Sequence, residues 1–252
     1  MTDTSAMQSA PQPMTAPLFY SSIEPLSATL HKGFKVRGEG DYAYAANTNT
    51  VPLTVPEFTM ASRHYPILLL GDDLIPTAAV GVQPEKNLFV GADGKWEKYS
   101  YIPAYVRRHP FILLASDDDR LTLGIDTAAN SASASARPLF GSDGKETEVI
   151  TQAMDFANQF HGAFLHTRDY SEALKKADIV TDCTLEIEPV PGQRVNLGSF
   201  RRIDEEKFKN LPDATVLEWS KSGFLHASYF LLQSMNNWDL LLNRAGMVNP
   251  VA

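Results

Sequence analysis

Arg107-Arg108-His109, set just before Pro110, is the densest cationic stretch of the chain. A guanidinium presents a rigid fork of N–H donors that matches a carboxylate or a phosphate, and a histidine titrates near neutrality. Trp96, Tyr101 and Tyr105, with Tyr99 among them, precede the triplet closely. Their rings suit a sugar, a peptide or a cation. Trp96, Tyr101, Tyr105, Arg107, Arg108 and His109 therefore form the candidate binding set, for a peptide, a glycan or an anionic small ligand. The same residues have a plainer reading, in which the cations face the open carbonyls of a helix C-terminus and the rings are buried beneath it.

Other reactive side chains are scattered. Cys183 could be a nucleophile served by a distant histidine, or a small buried hydrophobe. His109, His226, Asp117 and Cys183 are the candidates if the chain is an enzyme. His161 and His166 lie five apart, which on a helix turns them by about 140° and keeps them off one metal. Asp117-Asp118-Asp119 and Asp72-Asp73 fall at expected turns, and their spacing fits no EF-hand loop. His226, Gln233, Asn236 and Asn237 read either as core polar groups satisfied by backbone or as a pocket lining. No phosphate-loop motif occurs, and Gly38-Glu39-Gly40 lacks the third glycine of a dinucleotide fingerprint. The nucleophile elbow and the His-Glu-x-x-His zinc motif are absent, and no histidine has an acid two positions on. The motifs imply no cofactor and no metal.

The elements that must carry these residues alternate between hairpins and helices. Tyr65–Leu70 and Ile75–Val82 flank Gly71-Asp72-Asp73-Leu74 as a hairpin, and residues 87–90 read as a third strand running into Gly91-Ala92-Asp93-Gly94-Lys95. A short helix is expected over 57–63, with Pro56 in its first turn, and another over 101–108, closed by Pro110. A second hairpin spans 111–125 around the acidic tip, and a third joins 182–190 to 194–203. Gly141-Ser142-Asp143-Gly144-Lys145 repeats the earlier turn, but its flanks do not align, so we read recurrent turn chemistry and no repeat. Residues 128–136 are almost pure Ala, Ser and Asn and are expected to be a mobile loop over the candidate groove.

Ile150, Ala153, Ala157, Phe160 and Phe164 draw one helical stripe, and Asp169-Tyr170-Ser171-Glu172 resembles a capping box that opens a new helix. Residues 214–244 read as one long C-terminal helix whose wide apolar surface would allow a homodimer contact. The expected class is α+β, a mostly antiparallel sheet built from hairpins with three to four helices, including a long C-terminal helix.

Composition narrows the function classes. Among 252 residues, 30 acidic side chains against 22 basic ones give a net charge of −8, which argues against a grip on nucleic acid. A single cysteine excludes an internal disulfide. The apolar runs are short of the roughly 20 residues a membrane helix needs, and the N-terminus lacks the basic and apolar regions of a secretory signal. A cytoplasmic location is therefore expected, with a disordered leader over 1–16, one domain over 17–246 and a tail over 247–252.

Three segments together resemble the SapC family of bacterial proteins: Tyr101 to Leu113, Pro138 to Thr147 and Gly223 to Trp238. The resemblance runs over about residues 17–244. It implies an accessory or binding role beside TonB-dependent receptors, tryptophan-halogenase-like and cupin-like proteins, in nutrient uptake or in peptide or glycan modification. The family name also implies an association with a surface layer, which is the alternative role. It implies no catalytic residue.

Overall fold

The computed structural model describes residues 16–115, 120–190 and 193–247. The expected leader over 1–16, apart from Ala16, lies outside the described residues, as do the acidic tip 116–119 and residues 248–252. In chain order the elements begin with strands β1 (Ile23–Pro25), β2 (Lys35–Val36) and β3 (Thr50–Pro52). Helix α1 (Phe58–Ala61) follows, then β4 (Ile67–Leu70), β5 (Ile75–Ala79), helix α2 (Ala104–Arg107), β6 (Phe111–Ala115), β7 (Leu121–Asp126) and β8 (Arg137–Pro138). Helix α3 (Glu148–Ala177) leads into β9 (Val180–Val190) and β10 (Gln193–Ile203). Four helices close the described chain: α4 (Glu205–Lys209), α5 (Asp213–Ser222), α6 (Phe224–Ser234) and α7 (Asn237–Arg244).

All strand pairs are antiparallel, and the class is α+β as expected. β3, β5, β4, β10 and β9 form a five-stranded sheet, β1, β7 and β6 a three-stranded one, and β2 pairs with β8. The three expected hairpins are present as β4–β5, β6–β7 and β9–β10. Residues 87–90 do not form the expected strand. Only Val90 bridges to Trp96, closing the glycine turn between them.

That turn is built twice. Gly91 N–H reaches Lys95 O at 2.9 Å, and Gly141 N–H reaches Lys145 O at 2.8 Å. In each, the aspartate accepts from the lysine N–H at 3.1 Å, and the second glycine takes φ near +75°, at 74° for Gly94 and 79° for Gly144. The positive φ is what requires glycine there.

Two apolar clusters hold the layers. The larger gathers Val51, Phe58, Tyr65, Ile67 and Leu69 with Tyr170, Trp219 and Leu231. The smaller gathers Phe34, Phe111, Leu123, Ile125, Phe140 and Ile150. α3, 30 residues and about 45 Å long, feeds both, with Ile150 and Ala157 in the smaller and Tyr170 and Leu174 in the larger.

The helix inventory corrects two expectations. The stripe on α3 does not stop at Phe164, because Thr167, Ser171 and Leu174 continue it in register as buried residues. The apparent capping box at Asp169 therefore sits inside a continuous helix: burial of one face outweighs a local cap signal. The expected C-terminal helix is instead three, so the described residues hold seven helices and the longest is central. Gly223, at φ +82°, ends α5 in a left-handed turn and starts α6 in a new direction. No helix among the described residues is long and apolar enough to cross a membrane.

Gly223 gives a direct check. In a continuous helix, Gly223→Ala would stabilise by about 1 kcal/mol. At φ +82° it is expected to destabilise by about 1 kcal/mol in urea unfolding, and a gain in stability would contradict the break.

Candidate functional site

α2 is a single turn held at its start by a buried carboxylate. Glu57 closes the turn after β3: its Oε2 accepts from Thr54 N–H at 2.7 Å and from the Thr54 hydroxyl at 2.8 Å. Its Oε1 accepts from Ala104 N–H, the first residue of α2, at 2.6 Å and from the Tyr101 hydroxyl at 3.0 Å. Burial, with Glu57 next to it, pushes the Tyr101 phenol up to about 12. The Tyr65 hydroxyl donates to the Tyr101 carbonyl, fixing the approach to the helix.

Beyond α2 the chain turns at His109, whose side chain is 2% exposed. Its Nε2 faces Asp126 Oδ2 at 3.4 Å, across the end of β7. Asp126 also accepts backbone N–H groups from Ser22 at 2.9 Å, Ser21 at 3.1 Å and Ala128 at 3.1 Å. Burial works to raise this carboxyl, and the three N–H donors outweigh it, so it is held below the usual aspartate range. An ionised carboxylate only accepts, so the proton of neutral His109 sits on Nε2. Nδ1 is then an acceptor, and it has no partner. Burial, reinforced by the Arg37 charge and opposed by Asp126, lowers His109 to about 4. The ring stacks on Tyr44 at 4.3 Å, and the Arg37 guanidinium lies over the same tyrosine at 4.2 Å.

A cavity of about 290 Å³ opens beside this pair, lined by Arg37, Arg107, Arg108 and Arg137, with Glu39 and Asp41 as its acids. Glu39 pairs with Arg137 at 3.2 Å. Among the described residues, four buried side-chain polar atoms lack a partner, and three of them, Arg108 Nε, His109 Nδ1 and Arg137 Nε, belong to residues lining this cavity. Unpaired buried polar atoms cost free energy, and two of these three, the Nε atoms of Arg108 and Arg137, are donors.

A second, larger groove of about 600 Å³ runs between α3, β5 and β6. It shares Arg108, Phe111 and Ala157 with the smaller cavity. Arg108 lies over the rings of Tyr105 at 3.9 Å, Phe160 at 4.7 Å and Tyr20 at 5.5 Å.

Of the six candidates, Arg107, Arg108 and His109 line the smaller cavity, and Tyr105 lines the groove with Arg108. Tyr101 stands just behind, accepting from Arg107 at 3.3 Å. Trp96 lines neither: it is a core residue whose Nε1 donates to the Tyr65 hydroxyl at 3.2 Å. Arg37, Arg137, Asp126 and Glu57 escape sequence reasoning. Pairing of β2 with β8 places Val36 opposite Arg137, and no local pattern announces it.

The remaining candidates are dispersed. Cys183 packs half-buried against the large core, His226 is exposed and stacks on Phe230, and Asp117 lies outside the described residues. Of the polar set in the C-terminal helices, Asn237 alone is buried, donating to the Ser62 and Tyr65 carbonyls. Asp72 and Asp73 pair with Arg201 and Lys175. No group of three metal-ligating side chains occurs among the described residues. Residues 128–136 start in a 3-10 turn over Thr127–Ala129, and Ser131 N–H reaches Lys35 O at 2.8 Å, tying this loop to the β2 edge.

The molecule is thus an α+β protein in which a short helix, anchored on a buried glutamate, sets two arginines and a His–Asp pair against an arginine-lined cavity. The chain belongs to the SapC family, whose model matches residues 26–241. No curated protein and no solved structure matches it.

Two outcomes follow from these contacts. Glu57→Ala leaves several donors unpaired in a buried place and is expected to cost roughly 3 kcal/mol or more in chemical denaturation; a neutral effect would show that they find other partners. His109 has a lower pKa folded than the ordinary 6.5, so the unfolded chain takes up its proton first as pH falls. Stability should decline from pH 6.5 to about 4 by roughly 3 kcal/mol, and His109→Asn should flatten that slope. An unchanged slope in the variant would remove His109 as its source.

Proposed function

We propose that this chain is an accessory binding protein that captures an anionic small molecule, or an anionic group on a peptide or glycan, in the cavity lined by Arg37, Arg107, Arg108 and Arg137. One observation carries the reading: the cavity is lined by four arginines against two acids, and two of those arginines, Arg108 and Arg137, keep a buried Nε donor without a partner. A carboxylate or phosphate would pair the guanidiniums and offset the cost of holding them unpaired. In this reading residues 17–246 act as one unit, since α3 packs into both cores, and the protein works in the cytoplasm with partners of an uptake or modification system.

An acid–base enzyme is the second reading, supported by the His109–Asp126 pair. Two facts weigh against it: the histidine side chain is almost wholly buried, and a pKa of about 4 makes it a weak base at neutral pH.

The test is calorimetric titration of the full chain with inorganic phosphate, sulfate and acetate. Binding is expected, weakening as salt is added, and the double variant Arg37→Ala/Arg137→Ala should lose ten- to a hundredfold in affinity. If none of the three anions binds, or if the folded double variant binds as well as the parent, the reading fails.

A further inference from the structure

The larger groove shares a wall with the arginine cavity and is the more apolar of the two in its lining. Its floor and sides are Leu53, Ile75, Phe111, Leu113, Phe160 and Phe164, among others. The serine and threonine hydroxyls that border it are already committed within the protein. Ser171 donates to Leu74 O, Thr167 donates to Ala163 O and accepts from Val55 N–H, and Thr54 donates to Glu57. Phe164 is 48% and Ile75 43% exposed, unusually open for side chains of that size.

A peptide adding itself as a strand would find little to pair with here. On β3, Pro52 has no N–H, and both the N–H and the carbonyl of Thr50 are engaged by the Thr48 hydroxyl. On β6, Asp126 N–H bonding to Pro110 O makes the even-numbered residues the ones hydrogen-bonded to β7, so the backbone N–H and C=O groups of Phe111 and Leu113 face the free edge. Phe111 is taken at both ends, its N–H by Arg108 O and its carbonyl by the Tyr20 hydroxyl. The edge offers Leu113 and little else inside the groove. What remains is a largely apolar channel: Asp73 and Glu172 in its lining pair with Lys175, His161 and Arg168 stand on α3, and Arg108 sits at its junction with a cluster of further arginines.

We infer that the groove and the arginine cavity are two halves of one site for a single-chain aliphatic carboxylate, its head on Arg108 and the neighbouring arginines and its hydrocarbon chain along α3 between Phe160 and Phe164. The inference rests on the anion-binding reading and extends it by naming the rest of the ligand. A groove of about 600 Å³ lies in the range of small-molecule sites. The head is bound by charge and the tail by exclusion of water, so affinity must depend on both.

Acetate, butanoate, octanoate and decanoate are titrated into the full chain, with decyltrimethylammonium as the tail-matched cation and inorganic phosphate as a head-only probe. Affinity should rise about three- to fourfold for each methylene that enters the groove. Phe164→Glu and Ile75→Glu, on separate elements, should each flatten that rise and leave phosphate affinity unchanged. Arg108→Gln should weaken decanoate and phosphate together. Circular dichroism checks the fold of each variant, and either groove variant alone decides the point. If phosphate binds but decanoate is no tighter than acetate, the carboxylate-chain site is wrong and the anion reading stands. If decyltrimethylammonium matches decanoate, the head is not recognised and the inference also falls. If neither phosphate nor any carboxylate binds, the anion reading falls and takes this inference with it.

Discussion

A carboxylate taken out of water must find partners for both oxygens, and Glu57 finds four donors: two on Thr54, the Tyr101 hydroxyl and the first N–H of α2. This requirement couples the end of β3 to a helix more than forty residues later in the chain. α2 is too short to be stable alone, and its position comes from that anchor at one end and from the His109–Asp126 contact at the other. Everything placed around the arginine cavity by α2 depends on those two buried acids. Both accept backbone N–H groups, two at Glu57 and three at Asp126, beside the Thr54 and Tyr101 hydroxyls and the His109 ring, so the fold sets much of this geometry and a few side chains complete it.

The chain is acidic as a whole, yet its cations are not spread evenly. Lys175, Arg201, Lys207 and Lys209 are occupied in ion pairs on the surface around the large sheet. Exposed pairs of this kind contribute little to stability. Around the small cavity the balance reverses, four arginines against two acids, and the rings of Tyr44, Tyr105 and Phe160 cover guanidinium faces. Aromatic cover displaces water from a guanidinium without neutralising it, which leaves the charge available to an incoming group.

What could be read in advance follows the range of the interactions. The β4–β5 and β6–β7 hairpins and both glycine turns are written in adjacent residues and are legible. Helix boundaries depend on burial and on single backbone breaks: the capping-box pattern at Asp169 lies inside α3, and Gly223 divides the span expected as one helix. Arg107, Arg108 and His109 stand together in the sequence and stand together in space. Arg37 and Arg137 are brought to them by strand pairing across a hundred residues, and Asp126 by the register of β7. Trp96 shows the converse: proximity in sequence to the arginines does not put it at the cavity, because the glycine turn carries it into the large core.

The two Gly-x-Asp-Gly-Lys turns meet different surroundings, one delivering Val90 and Trp96 to the large core and the other Phe140 to the small one. Each supplies its own hydrogen bonds between first glycine and lysine and between aspartate and lysine. Nothing around them needs to correspond. Such a pentad is a self-contained part, and its recurrence inside one chain speaks of a shared mechanical solution and gives no evidence of common ancestry between the halves that carry it.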